Sequence, residues 1–234
     1  MPERPTVTSY TIYHSPNAYL GIVLAERALA ALPVRHERRP ILIPRSRGVR
    51  VADLVGGHES PAKASYHRED CIRWARRHGI ALRLLEPGEF ERRAEHWVRA
   101  LLEREELPAR AFYAALDLGR ARELDRALFE AAWGDGRDVN EEAVVREAAT
   151  RVGLDADGLL ERALREEAGL RVRTSLAEFD AAQCPGIPCF VFQGQRFWGK
   201  DRIADLVEAL QEAGVRSARA AGESPRGGGL RTDG

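Results

Sequence analysis

The chain has 234 residues, with 36 Lys+Arg against 36 Asp+Glu, so its formal net charge is zero. That balance excludes the global positive field of a protein that coats nucleic acid or an acidic membrane surface. Hydrophobic residues make up 44% and charged residues 31%, the profile of a globular protein with its own core, and no apolar run approaches a membrane span.

The opening Met-Pro-Glu-Arg-Pro is polar and lacks the apolar core of a signal peptide, so the expected location is the cytoplasm. Val7 to Tyr13 alternates β-branched and aromatic residues and predicts a strand. Pro16-Asn17 turns the chain, and Leu20, Val23, Leu24, Ala28 and Leu32 then recur at helical spacing. A second strand is expected over 34–43. Strand, helix and strand in this order imply a parallel pair joined by a right-handed crossover. Residues 44–60 read as loop. Ser60-Pro61 starts a helix that ends at His78-Gly79, with Gly at the C-terminal cap.

From Pro87 to Ala168 nearly everything reads as helix. One helix is expected from Asp117 to Trp133, a second capped by Asn140, and a third starting at Asp155. Strands return at 189–193 and 196–198 around a tight turn at Gly194-Gln195, and a helix over 201–213 follows. Gly214 to Gly234 is rich in Gly, Arg and Ser without periodicity and predicts a disordered tail.

The three cysteines form no Cys-x-x-Cys and no zinc-spaced cluster with histidine. Cys184 and Cys189 flank the Pro188 turn. They are either a local redox pair or a turn residue and a buried strand residue in a reducing compartment.

Five stretches, taken in order, carry a resemblance to a known family. They are YHSPNAYLG at 13–21, SPAKASYHRED at 60–70 continued by IRWARRHGI at 72–80, LFEAAWGDGRDV at 128–139, GIPCFV at 186–191, and FWGKDRI at 197–203. Together they resemble the kappa-class glutathione transferases and, more closely, the 2-hydroxychromene-2-carboxylate isomerases. The resemblance implies an α/β, DsbA-like fold: a thioredoxin-like mixed sheet with an inserted all-helical subdomain. On that reading 1–60 and 174–213 form the thioredoxin-like domain and 61–173 the insert. The chain departs from the family at 55–60, where Val-Gly-Gly-His-Glu-Ser replaces an Asn-Pro-Pro-like stretch, and at 84–112, a charged run in place of a Phe-Pro-x-Asn-like stretch.

The resemblance also implies a site. Ser15 matches the catalytic serine, and glutathione is the implied cofactor. A thiol is mostly protonated at neutral pH, whereas the thiolate is the nucleophile. A hydroxyl donating to sulfur at a helix N-terminus stabilises the anion through the hydrogen bond and the helix dipole. Lowering a thiol pKa by about two units needs only about 2.7 kcal/mol. Pro188 resembles the family's cis-proline, which would let Ile187 offer its backbone edge to the cysteinyl part of glutathione. Lys63 and Asp201 match positions that hold the ends of glutathione, one through a carboxylate and one through the γ-glutamyl ammonium. Lys200 stands where members have a small or amide residue and is a further candidate for a ligand carboxylate.

Other residues have plainer readings. His14 need not share a face with Ser15, because successive strand side chains point oppositely. Asp70 and Arg73 read as a structural helix pair, His58 as a substitute ligand for the missing Asn, and Trp198 as site wall or core. Arg92, Arg93 and Arg99 are candidates for a cationic pocket. The partners implied are glutathione and a small aromatic substrate, in a homodimer, with no nucleic acid and no membrane. The reaction implied is glutathione-dependent cis–trans isomerisation. Glutathione conjugation and a non-catalytic thiol- or partner-binding protein are the alternatives.

Overall fold

The computed structural model describes residues 4–42, 61–86, 88–89, 93 and 106–216. Four strands form one sheet in the order β2-β1-β3-β4. β1 (Thr6–Thr11) runs parallel to β2 (Arg35–Pro40), and α1 (Pro16–Leu29) makes the crossover between them. β3 (Cys189–Phe192) is antiparallel to β1, and β4 (Gln195–Trp198) is antiparallel to β3. The β3–β4 turn is Gln193-Gly194, one residue earlier than expected. Both have positive φ (48° and 78°), the mirror-image turn that matches strand twist.

Between β2 and β3 lie α2 (Pro61–His78), α3 (Leu107–Asp117), α4 (Ala121–Phe129) with a π-type turn at Glu130–Gly134, α5 (Glu142–Arg151), α6 (Ala156–Ala163) and α7 (Glu166–Ala181). A 3₁₀ turn at Lys200–Arg202 leads into α8 (Ile203–Glu212). Gly79 caps α2 at φ 59°, and Asp155 accepts from the backbone of Asp157 and Gly158, both at 3.2 Å, as capping residues do.

Several local expectations are corrected. The helix expected from Asp117 is broken by Gly119 at φ 69°, which leaves Leu118 exposed, and α4 starts only at Ala121. Asn140 does not cap α5, whose N-cap is Glu141. The boundary expected at 173/174 falls inside α7, which runs unbroken from Glu166 to Ala181. Val215, expected in the tail from Gly214, is instead buried in the core, and its N–H bonds the Leu210 carbonyl at 2.9 Å. Residues 217–234, the loop at 44–60 with His58, and Arg92 and Arg99 lie outside the described residues.

Each face of the sheet is covered. One packs on α1, α8 and the helical layer through Val7, Leu20, Phe190, Phe192 and Leu206. The other places Tyr10, Ile12 and Cys189 against Leu176 and Phe179 of α7. A buried polar chain ties the helical layer to the sheet. The Tyr13 hydroxyl donates to Asp125 at 2.7 Å, Asp125 also pairs with Arg38, and Arg38 lies 3.6 Å from Glu26. Burial pushes the Asp125 carboxyl upward against the opposing pull of Arg38 and the Tyr13 hydrogen bond.

His36 on β2 meets Ser9 at 2.9 Å, and the Ser9 hydroxyl donates to the Glu37 carbonyl, so Ser9 accepts from a neutral ring. Burial first, and then the charges of Arg38 and Arg122, lower His36 from 6.5 to about 3. The unfolded chain therefore takes up a proton that the folded chain refuses. The stability from neutral His36 is complete above the unfolded value and is lost as pH falls toward the folded one. The thermal midpoint should drop between about pH 7 and about pH 5, and a His36→Asn variant should show a shallower drop. Equal slopes would remove His36 from the acid response.

Candidate active site

Strand directions bring the predicted residues to one end of the sheet. Ser15 follows the C-terminal end of β1. Ile187 and Pro188 precede the N-terminal end of its antiparallel neighbour β3. Lys200 and Asp201 follow the C-terminal end of β4. α1 and the loop before β3 touch there. A Cβ built on Gly21 would lie 2.8 Å from Pro188 Cγ and 3.6 Å from the Lys200 backbone. Only glycine allows this approach. Gly21→Ala should therefore displace Pro188 and cost about 1–3 kcal/mol as an overpacked contact. Thermal unfolding reads the cost, and an unchanged midpoint would mean that the loop gives way freely.

Ser15 is the N-cap of α1. Its backbone is extended, and Oγ accepts from the Ala18 N–H at 3.2 Å. Capping uses the oxygen lone pair and leaves the hydroxyl proton for another acceptor. One side chain can therefore cap the helix and donate to an anion at its positive end. The Ile187–Pro188 peptide is cis, and the Pro188 carbonyl accepts from the Gly199 N–H at 2.9 Å, which joins the two loops.

Lys200 is buried. Its Nζ donates to Asp70 Oδ2 at 2.6 Å and to Asn17 Oδ1 at 2.7 Å, and it lies 5.7 Å from the centre of the Trp74 ring. Asn17 also meets His67 Nδ1 at 3.3 Å and accepts from the Cys71 thiol at 3.4 Å. Burial pushes that thiol up to about 11. Lys63, His67, Asp70, Cys71 and Trp74 recur at three- and four-residue steps along α2 and so lie on one face of it. A pocket of about 430 Å³ opens among Ala62, Lys63, Tyr66, His67 and Asp70.

The remaining expectations divide. Asp70 does meet Arg73, at 3.4 Å, but its shorter bond to Lys200 corrects the reading of a plain helix pair. Asp201 is half-exposed and stands 3.6 Å from Arg202. Trp198 is not core: it is 54% exposed and packs against Gly186. His14 turns into the helical layer, where its Nε2 is 2.8 Å from Asn140 Nδ2, and Asn140 Nδ2 also donates to Asp138 at 3.0 Å. Arg93 donates to Glu89 and to the Gly136 carbonyl. Asn17, His67, Cys71 and Trp74 were not expected at the site. The polar stripe along α2 was the available signal for the last three, and Asn17 had none. Among the described residues no group of three His, Cys, Asp or Glu is placed to hold a metal ion, and no helix is long and apolar enough to cross a membrane.

The DSBA-like thioredoxin domain matches residues 6–211, nearly the whole sheet and helical layer. The chain belongs to that family. A 2-hydroxychromene-2-carboxylate isomerase from Sphingobium xenophagum is 29% identical over 216 residues, which cover 87% of this chain and 96% of the relative. Among solved structures, a 2-hydroxychromene-2-carboxylate isomerase superposes with a TM-score of 0.64 at 19% identity, covering 94% of this chain and all of that one. A probable DsbA oxidoreductase from Streptomyces coelicolor gives 0.67 at 20% identity, covering 95% of this chain and 92% of that one. At these identities the two structures speak for the DsbA-like fold alone. This DsbA-like chain carries Ser15-Pro-Asn-Ala at the start of α1, with no cysteine.

Proposed function

We propose that this chain is a glutathione-dependent cis–trans isomerase of the 2-hydroxychromene-2-carboxylate isomerase type, acting on a small aromatic hydroxy/pyruvate-like substrate. The observation that carries the reading is Ser15, a helix N-cap with its hydroxyl proton left over, in a chain similar over its length to such an isomerase. The donor set suits glutathione, which has two carboxylates, one ammonium and one thiol. Lys63 and Lys200 supply cations, Asp201 supplies a carboxylate, and the 186–188 edge supplies backbone groups.

Bound there, glutathione would supply a thiolate that adds reversibly to a conjugated carbon, leaves after the bond has rotated, and is returned unchanged. Ser15 would donate its hydroxyl proton to the sulfur while Oγ keeps its bond to Ala18. The N-terminus of α1 would add its dipole. Ile187 would fix the cysteinyl backbone as an added strand is fixed. Lys63 would take one carboxylate, and Asp201 the γ-glutamyl ammonium.

The test is an isomerisation assay with a 2-hydroxychromene-2-carboxylate at substoichiometric glutathione. Many turnovers per glutathione, with free thiol constant, support the isomerase. Thiol consumed one for one with product would instead make the chain a conjugating transferase. No turnover and no glutathione binding would leave a non-catalytic domain.

A further inference from the structure

Two thiols take no part in the Ser15 site. Cys184 lies partly exposed in the loop between α7 and β3, and Cys189 opens β3 fully buried. Between them run Pro185, Gly186, Ile187 and Pro188, the edge that faces the Ser15 end of the sheet. Both cysteines pack into one apolar cluster with Tyr10, Ile12 and Phe179, on the sheet face away from α1. Both are free thiols, and both adjoin the Tyr10–Phe179 ring pair: the Cys184 N–H donates to the Phe179 carbonyl at 3.2 Å, Cys189 faces Tyr10 in the β1–β3 register, and the two ring centres lie 5.7 Å apart. Trp198 stands beside them, opposite Cys189 in the β3–β4 register and with its indole against Gly186.

We propose that Cys184 and Cys189 are a redox-active dithiol that closes to a disulfide by exchange with a low-molecular-weight disulfide and is reopened by thiols, changing the 185–188 edge between them. The exposed partner begins the exchange. The neighbouring Cys189 side chain lowers the Cys184 thiol from its ordinary value, while Cys184 and then burial push Cys189 up. Cys184 loses its proton to solvent, and its thiolate attacks one sulfur of the small disulfide. The small S–S bond breaks, one thiolate departs and takes up a proton, and a mixed disulfide stands on Cys184. The Cys189 sulfur then attacks the Cys184 sulfur and passes its proton to the second departing thiolate. Two protein thiols have lost two protons and two electrons, and one small disulfide has gained them to become two thiols. The dithiol does not depend on the reading of Ser15.

The test uses the full chain equilibrated across mixtures of oxidised and reduced glutathione, acid-quenched and alkylated. The expected product is lighter than the reduced protein by two hydrogens. Its disulfide should map to the single tryptic peptide Thr174–Arg196 and open fully with dithiothreitol. Trp198 emission should fall as the disulfide forms, and the change should vanish in Trp198→Phe. Ser15→Ala and Cys71→Ser should close as wild type does, and Cys184→Ser should not close at all. Should Cys184→Ser fold poorly, alkylating Cys184 in the wild type before oxidation gives the same block. A stable glutathione adduct on Cys184 that never resolves, or no reaction even in oxidised glutathione alone, would overturn the proposal.

Discussion

Ser15→Ala should bind glutathione and lose the thiolate. The hydroxyl has two uses, and alanine removes both. Losing the bond to the Ala18 N–H should cost about 1 kcal/mol of stability, the usual value of a serine N-cap. Losing the donor to sulfur should return the bound thiol to its ordinary pKa, a loss of about 2.7 kcal/mol if the shift is about two units. Isomerisation should then fall about 10²–10³-fold, the scale on which one donor aimed at a developing anion acts. Calorimetry with reduced glutathione and the ultraviolet absorbance of the thiolate read the two effects apart. Ser15→Thr, which keeps both uses, should restore the signal, and Ser15→Asp, which caps but places a carboxylate against the sulfur, should not. If the thiolate signal survives in Ser15→Ala, Ser15 is a cap only.

Much of this arrangement is legible in sequence because its causes are local. The alternation of β1, the Ser15-Pro16 start of α1, the Gly79 stop and the Asp155 cap rest on residues within one turn of each other, and they stand where expected. The failures share a different cause. Asn140 has the chemistry of a cap, yet it is drawn away by a partner 126 positions distant, His14. Asp70 has a helix neighbour in Arg73, yet its shorter bond reaches 130 positions, to Lys200. Gly119 looks tolerable in a helix and instead ends one, because at positive φ it lets α3 and α4 fold back on each other. For the candidate site, family motifs put forward Ser15, Pro188 and Asp201, and the strand directions bring these three to one end of the sheet. The buried cluster around Lys200 brings together α1, α2 and the turn after β4, and such a cluster exists only once three elements have packed.

That cluster carries the second large effect. Lys200 places a cation in the interior with its side chain 6% exposed, beside Asp70 at 22%. Removing one partner of a buried pair leaves an uncompensated charge, at about 3–5 kcal/mol, whereas replacing both by groups of similar shape is often close to neutral. The two single variants should therefore differ. Asp70→Asn strands the more buried ammonium. Asn17 Oδ1 and the Trp74 face remain to it, but neither carries a charge, so the cost should sit near the lower bound, about 3 kcal/mol. For a chain of this length that lowers the thermal midpoint by about 6–12 °C. Lys200→Met strands a carboxylate that still reaches water and keeps Arg73 at 3.4 Å, so its cost should be clearly smaller. The double variant should recover most of the loss from Asp70→Asn, giving a coupling energy that thermal or denaturant unfolding measures. Ligand binding should order the variants the other way. Lys200→Met removes the cation that neutralises Asp70 and leaves that carboxylate to repel an anionic tripeptide, so glutathione affinity should fall about tenfold, or about 1.4 kcal/mol, with the fold intact. If Lys200→Met proves the less stable of the two and binds glutathione as wild type does, Lys200 serves packing alone, and the cation for the ligand must come from Lys63.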